Sequence, residues 1–161
     1  MAGPIAAVIV AAGSGERLGA GVPKALVPLH GRPLLHWALD AFTGHPDIDS
    51  VVVVAPEDAV SAVRAGVGDR VSVVAGGPSR QRSVDLGLAA VHPDAELVLI
   101  HDAARPLVEA SVISAVVAGL RQGAPAVIPV LPVTDTVKRV KGEASESASA
   151  VHRSGATSDV A

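Results

Sequence analysis

The stretch "IAAVIVAAGSGERLGAGVPK", Ile5 to Lys24, joins six apolar residues to a loop carrying four glycines, one arginine and one lysine. The apolar run is continuous rather than alternating and holds only β-branched or small residues, which predicts a strand covered on both faces. The loop behind it either makes a turn or holds an anion, and the two readings give Arg17 and Lys24 different roles. It is not a P-loop, because its lysine follows Pro23 and precedes Ala25 rather than a serine or threonine. It also misses the dinucleotide fingerprint, since Leu18 stands where the third glycine or alanine belongs. What remains is a glycine-rich strand end whose backbone N–H groups can face an oxyanion, with two cations beside it. A plain tight turn, with both cations in solvent, is the alternative at this point.

The same strand-then-loop unit recurs along the chain. "SVVVVA" (Ser50 to Ala55), "RVSVVA" (Arg70 to Ala75), "LVLIH" (Leu97 to His101) and "AVIPV" (Ala126 to Val130) read as further buried strands. Between them run stripes of helical period: Leu35, Ala38, Leu39 and Phe42; Val84, Leu88 and Val91; Ile113, Val117 and Leu120. Pro33, Ser79 and Glu109 stand where helices should start. Strand and helix alternating in this way predict an α/β fold: a doubly wound, mostly parallel, Rossmann-like sheet with helices on both faces. Ligands bind such sheets beyond the carboxyl ends of the strands. The loops there are the opening one, "PED" (Pro56 to Asp58), "GGPSRQRS" (Gly76 to Ser83) and "DAARP" (Asp102 to Pro106), and three of the four carry arginine.

With 161 residues the chain suits one domain, placed at 1–141. From Gly142 onward the sequence turns rich in Ser, Ala and Gly, so 142–161 reads as the remnant of an arm or a flexible tail. A net charge of −3, with Trp37 and Phe42 the only aromatic residues, provides neither a basic surface nor a stacking platform, which argues against nucleic acid as a partner. Without cysteine there is no disulfide, thiolate nucleophile or cysteine-ligated zinc. No apolar run nears the ~18 residues of a membrane span and no leader pattern opens the chain, so the expectation is a cytoplasmic protein without a membrane partner.

The strand-end loops suggest anion chemistry without a covalent agent. Ser79 and Ser83 can donate to phosphate, base or sugar, or one can simply cap a helix. Asp102 ends a buried strand, where a carboxylate is costly unless paired or beside bound cations. Arg105, three residues on, either pairs with it or faces the ligand alongside it. His101 reads equally as a satisfied core histidine or a participant. No H-E-x-x-H and no G-x-S-x-G occurs.

Taken together, "AAGSGERL…PK", "GGPSRQRSV", "HDAARP" and "PVTDTVKR", in this order between Ile5 and about Lys138, resemble the 2-C-methyl-D-erythritol 4-phosphate cytidylyltransferases of non-mevalonate isoprenoid synthesis. That resemblance implies cytidylyl transfer from CTP to the phosphate of methylerythritol phosphate, with release of pyrophosphate. It implies CTP bound along Ala11, Ala12, Gly13, Ser14 and Gly15, with its phosphates on the amides near Ala12 to Gly15, cytosine read around Gly77 and Ser83, Asp102 near the ribose and phosphates, and Ala103 also at the nucleotide. Asp102 would also meet Mg²⁺. Arg105, Thr136 and Lys138 would receive the acceptor, Arg17 and Lys24 would stabilise the transition state, and Arg153 in "VHRSG" would orient the acceptor. The family is a homodimer joined by an arm, and its pattern runs on beyond Ala161, so the chain reads as a C-terminally incomplete member. Two alternatives follow: a cytidylyltransferase for ribitol phosphate or a similar polyol phosphate, and a truncated CTP-binding remnant without turnover.

Overall fold

The computed structural model describes residues 3–13 and 23–136. Four parallel strands form the central sheet: β1 (Ile5–Val10), β4 (Ser50–Ala55), β5 (Val71–Ala75) and β6 (Leu97–Asp102), in the spatial order β5-β4-β1-β6. Two short strands, β2 (Pro28–Leu29) and β3 (Arg32–Pro33), pair antiparallel as a separate hairpin, with His30 and Gly31 turning at positive φ. Four helices complete the described fold: α1 (Leu34–Thr43), α2 (Val60–Ala65), α3 (Arg80–Ala89) and α4 (Ala110–Arg121). Among the described residues no helix is long and apolar enough to cross a membrane.

The doubly wound expectation holds, and the strand order explains why. β1, β4 and β5 step in one direction across the sheet, whereas β6 returns to the far side of β1. Right-handed crossovers in opposite directions pass over opposite faces. Ile5, Ala7, Ile9, Val51 and Val53 accordingly pack with α1, Val63 of α2, and Ile113 and Val117 of α4, while Val8, Val52 and Val54 form the other face's core. Alternate residues of one strand thus serve two different cores, which is why β1 and β4 are apolar at almost every position.

α3 covers that second face by a close approach rather than by an apolar stripe. The stripe Val84, Leu88 and Val91 is not its buried side: Leu88 is 40% exposed, and Ser83 and Gly87 are the buried residues. A Cβ on Gly87 would stand 2.5 Å from Val8 Cγ1 and 2.7 Å from Val54 Cγ2, so the glycine lets the helix backbone rest on the valines. The stripe of α1 (Leu35, Ala38, Leu39, Phe42) is buried as expected, as are Ile113 and Val117 of α4, with Leu120 packed against them. Pro33, Ser79 and Glu109 are the N-cap residues of α1, α3 and α4.

"AVIPV" is corrected. Residues 126–130 form no strand, with Ile128 at 78% and Val130 at 77% exposure. β-branched residues fit a pleated surface, yet a strand exists only where a ladder partner stands beside it. Val127 packs instead on Gly119 of α4. The edge strands also depart from continuous burial: β5 is buried only at Val73 and β6 only at Leu99. The fold divides into a compact unit Met1–Pro129 and a second unit Val130–Ala161, of which 130–136 are irregular and exposed. The expected boundary at 141/142 lies outside the described residues.

Candidate active site

The carboxyl ends of β1 and β6 point to loops that diverge across the sheet, and a cleft of about 800 Å³ opens there. Three stretches wall it: Val10 to Gly13 at the end of β1, Gly77 to Arg80 between β5 and α3, and Asp102, Ala104 and Arg105 at the end of β6, with Lys24 closing one side. Each wall is fixed by the sheet. The amide of Ala11 donates to the Val54 carbonyl at 2.8 Å, that of Gly76 to Ala55 at 2.8 Å, and that of Ala103 to Val10 at 3.0 Å. The ladder then ends. The amides of Ala12 and Gly13 have no acceptor among the described residues, and both residues line the cleft. Backbone donors freed at a strand end are the element of an anion site that glycine-rich loops supply.

The glycine pair after β5 is shaped by Ser83. Its hydroxyl accepts from the Gly77 amide at 3.1 Å and donates to the Ser79 carbonyl at 3.0 Å, closing the turn from beneath at 2% exposure. Ser79 caps α3, its Oγ accepting from the Arg82 amide at 3.1 Å. Gly77 is required here, because a Cβ would collide with the Arg82 side chain. Gly77 and Ser83, expected together at the cytosine, are bonded to each other across the cleft wall.

Asp102 is the centre of charge. Its Oδ1 accepts from Arg80 Nε at 3.0 Å and from Arg80 Nη2 at 2.8 Å, while its Oδ2 lies 3.8 Å from Arg105 Nε. The open question of Asp102's partner is thereby answered: Arg80 holds it, and Arg105 stands further off. His101 takes the structural reading. Its ring lies 4.9 Å from that of Phe42, and its Nε2–H donates to the Arg105 carbonyl at 3.0 Å, pinning the turn from Asp102 to Arg105. Burial of the ring pushes its pKa below the ordinary histidine value, against the pull of the Arg105 carbonyl and the Asp102 charge.

Of the residues expected at the site, Ala11, Ala12, Gly13, Lys24, Gly77, Ser83, Asp102 and Arg105 come together around this one cleft. Ala103 does not line it: the residue is fully buried and its neighbour Ala104 forms the wall. Thr136 is exposed and belongs to the second unit. Ser14, Gly15, Arg17, Lys138 and Arg153 lie outside the described residues. Arg80 is the residue that sequence reasoning passed over. Its signal was present, because a helix whose first turn carries Arg80 and Arg82 and no acid opposes its own dipole and needs another reason for those charges.

Among the described residues the cleft therefore presents three cations, Lys24, Arg80 and Arg105, to one carboxylate, together with two amides that have no acceptor there. Among the described residues no group of three or more histidine, aspartate or glutamate side chains gathers to hold a metal ion. Such a site suits a polyanion, whose phosphates would supply most ligands of any accompanying divalent cation.

A curated relative from Streptomyces avermitilis, named 2-C-methyl-D-erythritol 4-phosphate cytidylyltransferase, is 50% identical over 143 residues, covering 84% of this chain and 57% of that protein. The solved 4-diphosphocytidyl-2C-methyl-D-erythritol synthase of Anaerococcus prevotii superposes with a TM-score of 0.75 at 30% identity, over 86% of this chain and 60% of that one. Rv0371C of Mycobacterium tuberculosis, solved in complex with manganese, superposes with a TM-score of 0.58 at 25% identity, over 74% of this chain and 60% of that one. The chain spans about three fifths of the length of these relatives. The family model for 2-C-methyl-D-erythritol 4-phosphate cytidylyltransferase matches residues 5–157, nearly the whole sequence, and the chain belongs to that family, IspD.

Proposed function

We propose that the chain carries the CTP-binding and transfer site of a 2-C-methyl-D-erythritol 4-phosphate cytidylyltransferase. The observation that carries this reading is the cleft at the ends of β1 and β6, which, among the described residues, is lined by two amides without an acceptor, three cations and one carboxylate. A phosphate oxygen of methylerythritol phosphate attacks the α-phosphorus of CTP, and pyrophosphate leaves in line. The acceptor phosphate is already nucleophilic, so no side chain acts as a strong base. Catalysis is positioning and charge stabilisation.

The amides of Ala12 and Gly13, continued by Ser14 and Gly15, cradle the triphosphate. Lys24 supports charge building on the α-phosphate, with Arg17 offering a planar fork to the same oxygens. The Gly77–Ser83 turn meets the cytosine, and Asp102 lies beside the ribose. Arg105, Thr136, Lys138 and Arg153 receive and orient the acceptor.

A divalent cation fits this donor set in a limited way. Asp102 offers one carboxylate, as Mg²⁺ sites built on substrate phosphates commonly do, and the manganese complex of Rv0371C supports the class of ion. When bound with the nucleotide, Mg²⁺ would neutralise developing phosphate charge. Family membership supports a homodimer, which sedimentation of the protein reads directly, and a cytoplasmic setting.

The test is pyrophosphate release from CTP with methylerythritol phosphate and, separately, ribitol phosphate as acceptor. Release with the first alone is expected. Release with ribitol phosphate alone assigns the other polyol class, and CTP binding without release from either leaves a nucleotide-holding remnant.

A further inference from the structure

Among the described residues, Arg80 has Asp102 as its ion-pair partner. It is the first residue of α3, where the helix dipole disfavours a cation, and the first turn provides no acid to offset it. Two of its donor nitrogens, Nε and Nη2, converge on one oxygen, Asp102 Oδ1, at 3.0 and 2.8 Å, while Oδ2 has no hydrogen bond among the described residues and lies 3.8 Å from Arg105 Nε. The guanidinium is 63% exposed and the carboxylate 34% exposed, so the pair faces the cleft and can open without repacking the core.

We propose that Arg80 is a positioning residue that latches Asp102 and makes cation binding at this carboxylate conditional on nucleotide. With the latch closed, a divalent ion approaching Asp102 meets two guanidinium groups and only one open oxygen. A polyphosphate entering beside Ala12 and Gly13 competes for the Arg80 donors, because guanidinium binds phosphate at least as well as carboxylate. As Arg80 turns to the phosphate, both oxygens of Asp102 become available to the ion that the phosphate brings. Nucleotide and cation then help each other through the breaking of one ion pair. Such coupling is reciprocal.

The inference rests on the cytidylyl-transfer reading for the identity of the polyphosphate, but its test uses none. Mn²⁺ binding is measured by electron paramagnetic resonance on the nucleotide-free protein. Arg80→Ala should bind Mn²⁺ about tenfold more tightly than the unsubstituted protein, in the ordinary range of such couplings. Arg80→Gln, which loses the charge and the guanidinium fork but keeps a polar side chain at the helix start, should gain equally, so the result does not hang on one variant's fold. Adding Asp102→Asn to either should abolish the gain. Unchanged Mn²⁺ affinity in both single variants overturns the latch, and so does a gain that survives Asp102→Asn. Failure of pyrophosphate release would leave a positive Mn²⁺ result standing, and a negative Mn²⁺ result would leave the transfer chemistry standing.

Discussion

Lys24 enters the cleft from the short 3₁₀ turn Lys24–Leu26, which Pro23 leads in extended geometry, so its ammonium is delivered by backbone that proline restricts. It is exposed, and its loss removes no core contact. Lys24→Ala should lower turnover by about 10² or more, on the scale of removing one preorganised donor, with an unchanged unfolding midpoint. Arg17→Ala should do the same, and near-normal turnover in either variant would contradict the assigned role. His101 contributes a pH dependence of stability. Its folded pKa lies below the unfolded value of about 6.5, chiefly because burial penalises the imidazolium. The unfolded chain therefore binds the extra proton first, and this contribution to stability is present above about pH 6.5 and lost as pH falls through the lower folded value. Urea titrations stepped downward from pH 7.5 should show that decline, and it should flatten in His101→Gln. An equal decline in the variant would place the titration elsewhere.

α3 is the element that joins fold to site. Its cap, Ser79, and its buried Ser83 close the Gly76–Gly77 turn, its first residue grips Asp102, and its Gly87 seats it against Val8 and Val54. Gly87→Ala gains roughly 1 kcal/mol of helix propensity, but it drives a methyl into valines buried on both sides, an overpacking worth about 1–3 kcal/mol. The net result should be a lower urea midpoint, together with weaker CTP binding, because the turn ahead of the helix shifts with it. A higher midpoint would show that the helix can lift without cost. Ser79→Ala, by contrast, should cost about 1 kcal/mol through the lost cap alone.

For the whole molecule, the cleft is a junction of loops that share little covalent connection, so a ligand held there should brace the sheet. CTP with a divalent cation at one hundred times its dissociation constant contributes about 2.7 kcal/mol. At 2–4 °C per kcal/mol that is a rise in Tm of roughly 5–10 °C. Differential scanning fluorimetry with CTP against GTP reads it, and an equal response to both would remove the Gly77–Ser83 turn as the base reader. Much of this arrangement was legible beforehand. The four sheet strands, the caps at Pro33, Ser79 and Glu109, and the gathering of Lys24, Gly77, Ser83, Asp102 and Arg105 follow from apolar runs that end in polar loops. Local composition reports such features directly, because a strand covered on both faces has no choice of side chain.

What the sequence by itself determined is the alternation of buried strands and capped helices, hence the parallel sheet and the strand ends where the cleft-lining loops gather. The tertiary structure decided three things that depend on neighbours rather than on composition. "AVIPV" lacks a ladder partner among the described residues and is no strand, despite its β-branched residues. α3 buries Ser83 and Gly87 instead of Val84 and Leu88, because only a side without bulk lets the helix rest on Val8 and Val54. Asp102 belongs to Arg80, 22 residues away, more closely than to Arg105, three residues away, because the crossover from β5 to β6 brings the start of one helix over the end of one strand. Propensity and spacing are properties of a segment, whereas ladder partners, close approaches and ion pairs belong to two segments at once.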